Sequence, residues 1–340
     1  MKATDETFIL GAGFSRWISS NMPLMEDLLR QVRSNTELSK EIDRNGLSSL
    51  LNLQSGFEAL ISHLANQYPW KSKAESLYEQ ALYEKCVDFL LDILEKSQSA
   101  VDMNTLSASA KQLFGYFNDR KSTVITFNYD SLLELGLTSG RNVSLYSLWK
   151  LPLINIMSRG ETTYGTYAGG GQWDPSISNP EDYPTVVKLH GSHNWLHSGP
   201  SSTPTDQVYF AYPGNTTPRG DVNSKGLRPL IIPPSIEKSA FFHHSLVSIS
   251  WEAARSAIES AARVFIVGYS LPISDTYVEL LLARALNEHA KLFVVNNDES
   301  ADFKTKMEHY FSDKNVELDL TLLGPDAIDM MVQKITSNSP

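Results

Sequence analysis

The sequence predicts an α/β protein, a doubly wound parallel sheet with a helical insertion after its first strand. Three observations carry that expectation. Short runs that are almost continuously apolar recur along the chain: FIL (8–10), VITF (124–127), VVKL (186–189), VFIV (264–267) and LFVV (292–295). Strands buried on both faces of a parallel sheet look like this. In the last third these runs alternate with amphipathic helical stretches, the order of βαβ units. Between the first and second run, residues 25–118 hold apolar residues at three-to-four spacing and contain no good strand.

Taken in order, TFIL (7–10) is a strand that ends at GAG. MEDLLRQV, GFEALISHLANQ, AESLYEQALYEKCVDFLLDILEKS and NTLSASAKQLFGYFN form the helical block. STVITF (122–127) is the next strand and SLLELGL the helix after it. Residues 140–185 are mixed, with YAGGGQWDPSISNPEDY a loop, and PTVVKLH (184–190) returns to strand. Residues 198–228, rich in Ser, Thr, Pro and Gly, read as a surface excursion, and RPLIIPP as another short strand. SLVSISWEAARSAIESAA is an amphipathic helix. RVFIVGYS, KLFVVNND and VELDLTLL are strands. Between and after them lie the helices SDTYVELLLARALNEHA (Ser274 or Asp275 as N-cap), ADFKTKMEHYFS and GPDAIDMMVQKITS. The expected division is a core of residues 1–24 with 119–340, and a helical insertion of residues 25–118.

Bulk properties narrow the function. The 340 residues are 41% hydrophobic and 20% charged, ordinary for a soluble globular protein. The net charge of −10 argues against direct binding to nucleic acid or to an anionic membrane surface. One cysteine, Cys86, excludes an intramolecular disulfide and a cysteine zinc cage; it lies in a helical pattern and reads as a small buried residue. No basic stretch followed by an apolar run opens the chain, and no run of about 18 apolar residues occurs, so a cytoplasmic protein is expected.

In doubly wound sheets, ligands bind outside the carboxyl ends of the strands. Here those ends carry Gly11, Ala12, Gly13 and Ser15; Asn128 and Asp130; His190, Gly191, Ser192 and Asn194; Gly268, Tyr269 and Ser270; and Asn296, Asn297 and Asp298. Each group has a local explanation. Glycines make tight turns, and Asn and Asp favour turns and caps. A single His is more often structural than catalytic. A parallel sheet nevertheless brings all five ends to one edge. GAGFS lacks the third glycine of the dinucleotide fingerprint, since Arg16 holds that position. Arg16 could meet a phosphate or form a surface salt bridge. Asp275 reads best as a helix cap. Glu58 lies on an insertion helix that either bends over the edge or exposes it. The adjacent His243 and His244 do not suit one metal ion and read as structural or exposed. Trp173 and Trp195 read as packing residues.

GAGFS, TFNYD, KLHGSHNW, VFIVGYSLPISD and VVNND occur in an order and spacing that resemble the sirtuin superfamily, from about Phe8 to Asp298. FEALISHL (57–64) resembles the bacterial sirtuin-like branch that lacks a zinc module, and one cysteine in place of four zinc ligands agrees with that branch. The resemblance implies a Rossmann-like NAD-binding core with NAD as substrate, no prosthetic group and no metal. It also implies cleavage to nicotinamide and ADP-ribose, in bacterial antiviral defence by NAD depletion. Asn128, Asp130 and His190 would then be catalytic. Gly11, Ala12, Gly13 and Ser15 would meet the diphosphate, Gly268 and Ser270 the adenosine half, and Asn296 the adenine ribose. A homo-oligomer is expected, and an activating chain such as a nucleic-acid-translocating ATPase is compatible with it. An NAD or ADP-ribose sensor without turnover, an ADP-ribosyltransferase and a deacylase are the alternatives.

Overall fold

The computed structural model describes residues 6–53, 55–66, 68–141, 148–149, 155–158, 161–163, 182–198, 208–211, 226–234, 239–272, 275–314 and 316–337. Trp173, Ser274 and most of the mixed stretch 140–185 and of the excursion 198–228 lie outside them.

The chain enters through β1 (Glu6–Leu10) and α1 (Ala12–Ile18). It then forms α2 (Met25–Ser34), α3 (Thr36–Arg44), α4 (Gly56–Ala65), α5 (Lys73–Ser99) and α6 (Ala108–Arg120). β2 (Thr123–Thr126) and α7 (Leu132–Thr138) follow, then β3 (Asn155–Ser158), β4 (Glu161–Thr163), β5 (Thr185–Lys188), β6 (Gly191–Ser198), β7 (Val208–Ala211) and β8 (Leu227–Ile231). α8 (Ser239–Phe242) and α9 (Ser245–Ser260) lead to the closing βα units: β9 (Arg263–Val267), α10 (Thr276–Ala285), β10 (Lys291–Asn296), α11 (Ala301–Phe311), β11 (Glu317–Leu323) and α12 (Ala327–Ser337).

Helix starts follow local chemistry. Ser72 and Glu75 form a reciprocal capping box at α5, and Asn35, Ser107 and Ser300 each accept a backbone N–H of the first turn of α3, α6 and α11. As expected, no strand interrupts residues 25–118 among the described residues.

Six strands make one sheet in the order β11-β10-β9-β1-β2-β5, and every neighbouring pair is parallel. This is the Rossmann-like doubly wound order, and its direction of winding reverses between β1 and β9. Alternate side chains go to opposite faces. Phe8, Val124, Phe265 and Phe293 face α6 and α12, packing with Leu113, Phe117 and Met331. Phe8, Phe265 and Phe293 stack across three strands at centroid distances of 4.8 and 4.6 Å. Ile9, Ile125, Val187, Ile266 and Val294 face α9, α10 and α11, packing with Ile258, Leu282 and Met307. Helices α2–α5 enclose their own core of Val32, Ile42, Leu60, Cys86 and Leu90, to which Leu132 and Ile231 are joined.

A second, five-stranded sheet, β4-β3-β7-β6-β8, was not expected. It uses parts of the mixed stretch 140–185 and of the excursion 198–228, together with GSHNWLHS (191–198). RPLIIPP does form a strand, β8, but it belongs to this second sheet. β6 escapes a pattern-based reading because its Ser192, Asn194 and His197 are buried along with Trp195 and Leu196. Pairing with β7 and β8 makes the strand, against a composition that reads as a turn.

Candidate active site at the carboxyl edge of the parallel sheet

The register levels the strand ends. Leu10 pairs with Thr126 and with Val267, Thr126 with Lys188, and Val267 with Val295. The next residue of each strand, Gly11, Phe127, Leu189, Gly268 or Asn296, therefore stands on one edge.

At the reversal point two turns press together. Gly11 N–H donates to Val267 O and Gly13 N–H to Gly268 O, both at 2.9 Å. Gly268 has φ +60°, and a Cβ on Gly11 would come within 2.6 Å of Gly268 O. Close approach of backbone to backbone thus accounts for glycine at these positions. Ala12 is exposed at the first helical position of α1.

Asn128 and Asp130 converge on Ser15 from the adjacent strand end. Asn128 Nδ2 donates to Gly11 O at 2.9 Å and to Ser15 Oγ at 2.8 Å. Ser15 Oγ in turn donates to Asp130 Oδ2 at 2.7 Å, and Leu132 N–H donates to Asp130 Oδ1 at 3.0 Å. Both amide hydrogens of Asn128 are committed inward, so its carboxamide oxygen is what it can offer to a ligand hydroxyl or a water. Asp130 is 5% exposed, and burial pushes its pKa above the usual carboxylate range, while the Lys188 ammonium and the hydrogen bonds from Ser15 and Leu132 pull it back.

His190 closes the neighbouring strand end. It packs on Phe127 and Tyr129, the residues flanking Asn128, at centroid distances of 5.2 and 6.4 Å. Its Nε2 lies 3.7 Å from Asp275 Oδ1, and Asp275 Oδ2 accepts from Tyr269 Oη at 2.6 Å. Asp275 stands at the N-cap position of α10 but makes no side-chain cap bond. Capping is thus not what its carboxylate does, contrary to expectation, because the buried Tyr269 hydroxyl and His190 attract it instead. The turn after His190 requires Gly191, at φ +75° with the Leu230 carbonyl against it, and Ile232 N–H fastens it to His190 O at 2.8 Å. Burial, followed by the Asp275 charge, raises both the Tyr129 and Tyr269 hydroxyls well above the normal phenol range. Glu58 of α4 is buried, and its charge adds the smallest part of both shifts.

Asn296 is tied down locally. Its Nδ2 donates to Tyr269 O at 3.3 Å and its Oδ1 accepts from Asp298 N–H at 3.2 Å. Ser270 is exposed, and its carbonyl accepts from Lys306 Nζ at 2.7 Å. Arg16 forms a salt bridge with Asp27. Trp195 is a core residue, edge-on to Trp149. His243 is exposed, and His244 caps α9 by accepting from Leu246 N–H. Cys86 is buried, its thiol pushed up to about 12 by loss of solvent. Among the described residues, no three His, Cys, Asp or Glu side chains converge as a metal site requires.

The structure adds Lys188 and Glu134 to this edge. Lys188 Nζ donates to Asp130 O at 2.5 Å and to Glu134 Oε1 at 3.0 Å. A lysine inside the apolar run VVKL was the available signal, since a charge in a strand buried on both faces needs a partner. Nothing in SLLELGL marks Glu134 as that partner.

No protein-family model matches the chain. No curated protein matches it either. Among solved structures, it is similar to a Sir2 in complex with the inhibitor EX-527, 2′-O-acetyl-ADP-ribose and a deacetylated p53 peptide (14% identity, 98% of this chain and 94% of that chain covered, TM-score 0.41). It is also similar to Sir2Tm bound to a propionylated peptide (13%, 98% and 94%, 0.41) and to a Sir2 with a p53 peptide and NAD+ (13%, 98% and 92%, 0.39). At that identity and TM-score the likeness assigns neither a family nor an activity to this chain.

Proposed function

We propose that this edge cleaves NAD to nicotinamide and ADP-ribose. The observation that carries the proposal is the chain Asn128–Ser15–Asp130, which with Gly11 O engages both amide hydrogens of Asn128 and leaves its carboxamide oxygen for a ligand, at the strand end next to the one bearing His190. Breaking the nicotinamide–ribose bond is a glycoside-type reaction with an oxocarbenium-like transition state. Nicotinamide leaves from a cationic ring and needs no acid. What remains is to hold the ribose, favour positive charge and activate an acceptor. Asn128 Oδ1 accepts from a ribose hydroxyl or the attacking water. His190 takes a proton from water or from a ribose hydroxyl, as an imidazole can near neutral pH. Asp130 acts through Ser15 and by its negative charge. The turns at Gly11–Ser15 and Gly268–Ser270 stand at the winding reversal, where doubly wound sheets bind nucleotides, and Asn296 stands beside them.

The test is NAD consumption by the purified protein, with product masses. Nicotinamide and free ADP-ribose are expected. Asn128→Ala and His190→Ala should each reduce turnover by at least about 100-fold while leaving the unfolding transition in place. Full activity in both variants, or tight NAD binding without product under every activating condition, would reject the proposal; the latter result is that of a sensor. With radiolabelled NAD, label retained on protein would point to ADP-ribosyl transfer.

The sequence resemblance supports a place in bacterial antiviral defence, with NAD depletion as the output. An unregulated NAD hydrolase would poison its own cell, so self-association or a partner chain would hold the activity in check. Cellular NAD measured with and without phage challenge tests that role.

A further inference from the structure

Lys188 and Glu134 are both wholly buried, with 0% side-chain exposure. Taking two charges out of water is unfavourable even when they pair, and apolar side chains of similar volume are often at least as stable in their place. Such a pair is weak evidence of a stability device. Its contacts indicate another use. The Lys188 ammonium bridges Glu134 Oε1, at 3.0 Å, and the Asp130 backbone carbonyl, at 2.5 Å. Trp149 Nε1 holds the same Glu134 oxygen at 3.2 Å. The ammonium therefore grips the residue whose carboxylate anchors Ser15, and Ser15 in turn orients Asn128.

We propose that Lys188, held in place by Glu134, is the positioning residue of the NAD-cleaving site, fixing the Asp130 backbone and through it the hydrogen-bond chain that aims Asn128. The inference rests on the NAD-cleavage proposal above. The groups facing the Asp130 carboxyl are Lys188 from β5, Glu134 and the first N–H, that of Leu132, from α7, and Ser15 from α1. Lys188 favours the ionised form of Asp130, whereas Glu134 opposes it more weakly. The two partners therefore move Asp130 in opposite directions when each is removed, an effect that reaches the kcat profile only where the ionisation of Asp130 governs turnover.

Lys188→Met alone would strand the Glu134 carboxylate, so the test compares the double variant Lys188→Met/Glu134→Gln with Glu134→Gln alone. Glutamine keeps an acceptor for Trp149 in both. The double variant should fold, lose about 10–100-fold in kcat with KM changed less than about threefold, and move the acid limb of the kcat profile to higher pH. Glu134→Gln should move that limb to lower pH. A folded double variant with wild-type kcat and an unmoved acid limb overturns the inference. If the double variant does not fold, Glu134→Gln decides alone: a lowered kcat together with a downward shift supports the inference, and wild-type kcat or an unmoved limb overturns it. Wild-type protein that releases no nicotinamide overturns the NAD proposal, and this inference with it; that result is recognised without any variant.

Discussion

The Ser15 hydroxyl donates to the Asp130 carboxylate at 2.7 Å, joining the helix after β1 to the loop after β2 across 115 positions of chain. That bond fixes the direction of the serine hydrogen, and hence which lone pairs remain for Asn128 Nδ2 at 2.8 Å. Three short polar side chains thus hold one another in a single arrangement at the edge of the sheet.

Ser15→Ala removes the middle of this chain. Asn128 Nδ2 loses one acceptor and the buried Asp130 loses a donor. The loss of stability should be about 1–3 kcal/mol, measured by urea unfolding. Nicotinamide release should fall by more than tenfold, because Asn128 is no longer aimed. Unchanged turnover would separate Ser15 from the site.

Asp130→Asn tests the electrostatics. A carboxyl whose folded pKa lies above its unfolded value, about 3.9, contributes most below that unfolded value, and the contribution is lost as pH rises through the folded pKa. Burial raises Asp130 in this way. The stability of Asp130→Asn relative to the parent should therefore increase from pH 4 to pH 8, while its turnover is reduced at every pH. Urea midpoints across that range check the sign; a relative stability that decreases with pH contradicts the assignment.

Tyr269→Phe deletes the hydroxyl that donates to Asp275 at 2.6 Å and leaves the ring on Phe127 in place. The buried carboxylate then lacks that donor, and a loss of about 1–3 kcal/mol is expected by chemical denaturation. A variant as stable as the parent would mean that Asp275 is satisfied without it.

Gly268→Ala places a methyl group against Gly13 and Phe14 at a residue with φ +60°. Backbone strain and overpacking together should destabilise the fold by roughly 3 kcal/mol. Gly140→Ala is the control, since its φ is also positive, at +70°, but nothing lies within 4 Å of the added carbon. It should cost about 1 kcal/mol from the backbone alone. Thermal unfolding of the pair separates crowding from strain.

Cys86 should be unreactive toward a disulfide reagent at pH 8 in the native protein and react fully after denaturation, because burial holds its thiol up at about 12. Rapid labelling without denaturant would place it outside the core.

Much of the edge was legible in the sequence. Apolar runs such as VFIV and LFVV mark strands covered on both faces, and a parallel sheet must bring their carboxyl ends together. Asn128, Asp130 and His190 were identifiable because polar residues directly follow those runs. Lys188 was passed over, although a charge within such a run signals a buried partner. Asp275 was misread because helix capping is a local explanation available to any Asp before a helix, and its actual partners, Tyr269 and His190, lie on other segments.

The amino-acid order alone determined the periodicities, and with them the strands and helices of the doubly wound parallel sheet, since burial on both faces leaves a signature within a few neighbouring residues. Only the tertiary structure decided which polar groups satisfy one another: Asn128 with Ser15, Lys188 with Glu134 and Asp130, Tyr269 with Asp275. It also decided that GSHNWLHS is a strand of a second sheet. The physical reason is range. Hydrophobic spacing acts along the chain, whereas a hydrogen bond or ion pair between distant segments exists only once packing has brought them together and excluded water.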